Sequence, residues 1–92
     1  MDKMQSFYSN LTKKLDLPAE PFPGITVAEV WGDGRILIEN HRGVIGYLKD
    51  EIAVRTSYGS LQIKGNDLQL TMMTREQLII SGNIADVILK RG

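Results

Sequence analysis

A chain of 92 residues, 42% hydrophobic and 24% charged, reads as one small globular domain with little stability in reserve. Its 11 Lys and Arg balance 11 Asp and Glu, so the basic excess that draws proteins to phosphate is missing and nucleic acid is not expected as a partner. Cysteine is absent, which excludes disulfides, thiolate nucleophiles and Cys-ligated zinc.

The first residues lack the uninterrupted apolar stretch of a secretory signal, and no apolar run approaches the roughly 18 residues of a membrane span. A cytoplasmic location is expected. Met4, Phe7, Tyr8, Leu11 and Leu15 fall at i, i+3, i+4, i+7 and i+11, one face of a helix. The spacing predicts an amphipathic helix over residues 1–17, ended by Pro18, because proline disfavours helical geometry in the residue before it. Such a helix is marginal alone and needs an apolar surface to lie on. Phe7, Tyr8, Leu11 and Leu15 are therefore candidate docking residues. Their target is either the dry face of the chain's own sheet or a partner or membrane surface. Lys3, Lys13 and Lys14 make a small basic face for a strong membrane binder. Residues 18–24, with Pro18, Pro21 and Pro23, form a stiff connector.

From Ile25 the hydrophobic period becomes two, and residues 25–92 are read as a β-domain. Expected strands are 25–31, 35–39, 44–48, 51–56, 60–64, 67–73, 77–81 and 84–89. Gly32-Asp33-Gly34 and Gly65-Asn66-Asp67 supply the residues that tight hairpin turns require. Links this short force antiparallel pairing. A pattern of apolar pairs recurs about every 16 residues: Ile36, Ile38, Gly43, Ile45 and Tyr47, then Ile52, Val54, Gly59, Leu61 and Ile63, then Leu68, Leu70, Leu78, Ile80 and Gly82. It specifies one dry face, so the sheet must fold over on itself or be covered. The fold class is mainly β: a small antiparallel β-sandwich or curled roll of 7–8 short strands behind one N-terminal helix. The alternative is a β-solenoid-like roll with one repeat per coil.

Chemistry-bearing residues are sparse. His41 is the single histidine, so no His cluster within one chain can hold a metal. A triad of Ser57 or Ser60 with His41 and Glu39 can be drawn, but no serine sits in an activating local motif. His41 and Asn40 read more simply as polar residues satisfying backbone groups in a turn, and Glu39 and Arg42 as a solvated or partner-facing pair. Carboxylates such as Asp50, Glu51, Asp67, Glu76 and Asp86 sit mostly in turns, where charges collect on any β-protein. Trp31 and Tyr58 are potential stacking groups for sugars, though core capping and turn placement explain them as well. No catalytic residue, cofactor or metal is assigned. The contact motif is Glu39, Asn40, His41, Arg42 and Gly43.

That block, Ile38-Glu39-Asn40-His41-Arg42-Gly43, is followed by Gly59-Ser60-Leu61-Gln62-Ile63-Lys64-Gly65 and Leu78-Ile79-Ile80-Ser81-Gly82-Asn83-Ile84. Together they resemble the YabP/YqfC family of sporulation proteins, and the leading segment with Leu17-Pro18 is similar to the YqfC branch. The resemblance implies a protein made in the mother cell of endospore formers and used in assembling the forespore envelope, coat or cortex. It implies no enzymatic activity and no cofactor. The expected role is a non-enzymatic assembly or adaptor factor, peripheral at the forespore outer membrane. Its expected partners are proteins, among them a membrane-bound sporulation protein, or further copies joined through a sheet edge or the N-terminal helix. A hydrolase acting on spore-wall material and a carbohydrate-binding β-module are the alternatives.

Overall fold

The computed structural model describes residues 24–32 and 34–92; the expected helix over 1–17 with Phe7, Tyr8, Leu11 and Leu15, the connector up to Pro23, and Asp33 lie outside them. The described chain is mainly β and contains no helix. Its strands are β1 (Val27–Trp31), β2 (Arg35–Glu39), β3 (Val44–Tyr47), β4 (Glu51–Thr56), β5 (Gly59–Met73) and β6 (Gln77–Arg91). They form a single sheet in the order β1-β2-β6-β5-β4-β3. Every pairing is antiparallel, as the short links demand, and the coiled solenoid alternative is not what forms.

Six strands replace the expected seven or eight. Residues 60–64 and 67–73 belong to one strand, β5, and residues 77–81 and 84–89 to another, β6. Gly65-Asn66-Asp67 has turn chemistry but does not reverse the chain. Instead the β5–β6 register slips between Lys64 and Gly65, between Asn66 and Gln69, and between Leu70 and Met72. Asp67 takes φ 53° and Gly82 φ 138°. These slips are bulges, which bend and twist a strand pair without ending it. At the bend the two backbones nearly touch: a Cβ on Gly82 would stand 2.5 Å from the Asp67 carbonyl oxygen.

The bend is large. A straight strand of 15 residues would run roughly 50 Å, whereas the longest axis of the molecule is 37 Å. Backbone bonding points the same way. The Asn40 N–H donates to the Glu76 carbonyl at 2.6 Å, and the Arg42 N–H donates to the Arg55 carbonyl at 2.8 Å. Glu76 borders one end of the β5–β6 hairpin, while Arg55 pairs with Ser60 and so lies beside the other. Two residues of backbone reach about 7 Å. The hairpin must double back on itself.

Folding over encloses one cluster: Ile36 and Ile38 from β2, Ile52 and Val54 from β4, Leu61, Ile63 and Leu68 from β5, and Leu78 and Ile80 from β6. Most of the repeated apolar pairs meet here. Each such side chain contributes about 1.5–3 kcal/mol when fully buried. The first copy departs from the pattern, because Ile45 and Tyr47 are each 51% exposed. They lie on edge strand β3, whose register against β4 slips between Val44 and Gly46, and that slip takes Ile45 out of the alternation.

Candidate functional site

Residues 39–43 form the crossover that ties the doubled sheet shut. Asn40 adopts φ 59°, a left-handed conformation that Asn tolerates better than most residues. This points its side chain at the Ile25 carbonyl, to which Nδ2 donates at 3.0 Å. The Thr26 hydroxyl donates to the Asn40 carbonyl at 2.7 Å. The ring of buried His41 bonds at both nitrogens. Nδ1 accepts from the Gly43 N–H at 3.0 Å, which leaves Nε2 to carry the proton and donate to the Thr74 carbonyl at 2.9 Å. The Arg55 N–H donates to the Gly43 carbonyl at 2.8 Å. The Arg42 guanidinium donates to the Gly24 carbonyl, and Glu39 accepts from the Gln77 amide at 3.4 Å.

Glu39 and Arg42, read from sequence as a solvated or partner-facing pair, do not bond to each other here: Glu39 takes the Gln77 amide and Arg42 the Gly24 carbonyl. Ser57 is committed as well: its hydroxyl accepts from the Thr26 N–H at 3.0 Å, and its own N–H donates to the Thr26 hydroxyl at 2.9 Å. No Ser–His pair is assembled. The motif Glu39, Asn40, His41, Arg42 and Gly43 gathers three separate segments, around residues 24–26, 55–57 and 74–76, at one corner.

A second group, which the sequence reading passes over, surrounds Glu29. Cross-strand pairing lines up Glu29, Leu37, Ile79 and Met72 on the face opposite the core. Glu29 is 8% exposed, and neither carboxyl oxygen has a well-aligned hydrogen bond. Burial pushes its pKa above the usual carboxylate range; the Trp31 side chain partly opposes this as a loosely placed donor, and the Glu39 charge adds to it. A local signal existed only in hindsight, since an acidic residue alternating with Ala28 and Val30 reads as solvated.

Glu29→Gln is therefore expected to stabilise the domain by on the order of 1 kcal/mol at neutral pH. An acid whose pKa is raised by folding holds more protons when folded, so the natural chain gains stability as pH falls through that raised value toward the ordinary glutamate value. The variant loses that gain. Urea midpoints at several pH values check both points.

A third feature borders β3. A cleft of about 480 Å³ is lined by Tyr47, Leu48, Lys49, Asp67, Leu68 and Gln69. The Tyr47 hydroxyl accepts from the Leu70 N–H at 3.0 Å, and the Leu68 N–H donates to the Lys49 carbonyl at 2.8 Å. The β3–β4 turn is thereby pinned to the bend of β5. Beside the cleft, Ile45, Tyr47 and Leu48 stand 51%, 51% and 65% exposed. Trp31 and Tyr58 do not form one stacking platform: Trp31 ends β1, whereas Tyr58 lies in the β4–β5 turn, its carbonyl accepting from the Gly92 N–H. Burial raises the Tyr58 phenol pKa, and the Arg91 charge opposes the shift. Among the described residues no group of three or more His, Asp or Glu is placed to hold a metal ion, and no helix is long and apolar enough to cross a membrane.

Comparison with known proteins follows the β-domain closely. The YabP family matches over residues 26–92, the part that contains the whole described sheet. A protein of Bacillus subtilis (strain 168) described as "Uncharacterized protein YqfC" is 27% identical over 74 residues, covering 80% of each chain. No solved structure matches. With the family matched across the doubled sheet and its Glu39–Gly43 crossover, the chain belongs to the YabP family.

Proposed function

We propose that the protein is a non-enzymatic assembly or adaptor factor of sporulation, acting in the mother cell at the forespore envelope during coat or cortex formation. Family membership supports the process. The observation that carries the mode of action is the exposed apolar group of Ile45 and Tyr47 on edge strand β3 and Leu48 directly after it. β3 has a sheet neighbour on one side only, and an open edge beside exposed apolar side chains is where a second chain adds by strand pairing. The partner is a protein, and a membrane-bound sporulation protein suits a chain working at the forespore outer membrane. Hydrolase chemistry has less support, because both His41 nitrogens already bond to backbone.

Ile45→Lys combined with Leu48→Lys, in the full chain, tests this reading. The pair should abolish self-association or partner capture in sporulating cells, while shifting stability by no more than about 0.5 kcal/mol, as surface changes do. Unchanged assembly and normal spores would refute it.

A further inference from the structure

The far half of β6 is an open edge. β2 bonds to β6 only from Gln77 to Ser81, and beyond that point β5 is its one neighbour among the described residues. The Gly92 N–H donates to the Tyr58 carbonyl, on the β5 side, at 3.1 Å. Antiparallel ladders alternate, so the backbones of Lys90, Ile88 and Asp86 also bond toward β5, and those of Leu89 and Val87 point away from it. The side chains of Val87 and Leu89 stand opposite Ile63 and Leu61, on the core-facing side. Yet they are 38% and 47% exposed. An unpaired edge with uncovered core-side residues is a template for another strand.

We propose that this strand is β6 of a second copy, paired antiparallel about a two-fold axis through Ile88. Charge selects the register. With Ile88 opposite itself, Asp86 of each copy meets Lys90 of the other, and Val87 of each meets Leu89 of the other. The outward backbone groups of Val87 and Leu89 then face one another, as a ladder between symmetric copies requires. Shifting the axis to Val87 sets Asp86 against Ile88, and shifting it to Leu89 sets Lys90 against Ile88. An axis through Asp86 brings two carboxylates together. Opposite charges directly across a strand pair stabilise it, and like charges do the reverse. Lys64 on β5 already faces Asp86 from the other side, so the contact extends an alternating row of charge. The other sheet edges lack this self-complementarity. β1 paired about its central residue would set Glu29 against its own copy, and β3 is four residues long with a register slip. The dimer leaves β3 open in both copies, so it goes beyond the partner contact there and does not depend on it.

Solution mass of the full chain across a dilution series reads the dimer. Asp86→Lys brings two cations together at each end of the strand pair, and Lys90→Asp two anions. Each should raise the dimer dissociation constant by about tenfold or more. Mixing the two variants should restore dimers, because an Asp86→Lys chain complements a Lys90→Asp chain; a loss of folding would not be rescued in this way. The chain lacks cysteine, so Ile88→Cys gives a separate reading of the register. Mild oxidation should link two chains through that position, since residues directly opposite on antiparallel strands stand within disulfide range. A natural chain that stays monomeric, single variants that dimerise as well as the natural chain, no restoration on mixing, or no link through Ile88→Cys would each overturn the proposal. A monomer that binds another protein along this edge would overturn it too, by assigning the edge to a foreign strand.

Discussion

Replacing Gly82 by alanine lowers the stability of the domain by roughly 3 kcal/mol or more, enough to unfold a marginal chain of this length. Two penalties add. Gly82 holds φ 138°, a region that residues with a Cβ rarely enter, at a cost of about 1–3 kcal/mol. The added methyl group would also stand 2.5 Å from the Asp67 carbonyl oxygen, a backbone atom fixed by the bend. Relief requires β5 and β6 to part where the sheet doubles over. Gly46→Ala is the control. Gly46 lies in edge strand β3 and has open space where a Cβ would go, so its substitution should move the urea midpoint little. Equal midpoints for the two variants would mean that the bend tolerates separation.

His41→Ala is expected to cost about 2–3 kcal/mol. It strips the Gly43 N–H and the Thr74 carbonyl of their partner together, and a buried polar group left unpaired costs about 1–3 kcal/mol. His41→Gln should lose less, since its amide can still donate and accept. The pair separates a structural staple from a reactive group. A staple predicts loss of stability graded by hydrogen-bonding capacity. A His41→Ala variant with unchanged midpoint and lost sporulation function would instead point to a direct chemical or contact role.

Much of the sheet was legible along the chain. The expected strand 35–39 coincides with β2, and the apolar pairs Ile36/Ile38, Ile52/Val54, Leu61/Ile63 and Leu78/Ile80 fill the core as their alternation implies. The number of strands was not legible, for a definite reason. Gly65-Asn66-Asp67 offers the small size and positive φ that a hairpin turn and a bulge both use, and Asp67 takes φ 53° within a continuous strand. Local chemistry cannot distinguish the two; the pairing partner decides. Here β6 runs alongside on both sides of the bend. Edge strand β3 was misjudged in a related way, because Ile45 and Tyr47 share the repeat but not the core.

The site was legible in part. Asn40 and His41 have the side chains that a backbone-satisfying turn needs, and both serve backbone groups. Beside the local bond from Gly43 to His41, their other partners, Ile25 and Thr74, lie 15 and 33 residues away, a separation that spacing alone does not reveal. Glu29 was not legible, because an acidic residue in an alternating strand reads as solvated whereas here it is buried.

One consequence of the doubled hairpin concerns cooperativity. Because β5 and β6 run through both halves of the sheet, neither half has a complete set of hydrogen-bonded neighbours without the other. The crossover at residues 40–43 then fastens the two ends of that hairpin at one corner. Such a wiring leaves no subdomain that can open while the rest stays intact. The described sheet is one all-or-none unit, and a fault at the bend or at the corner is felt over its whole extent.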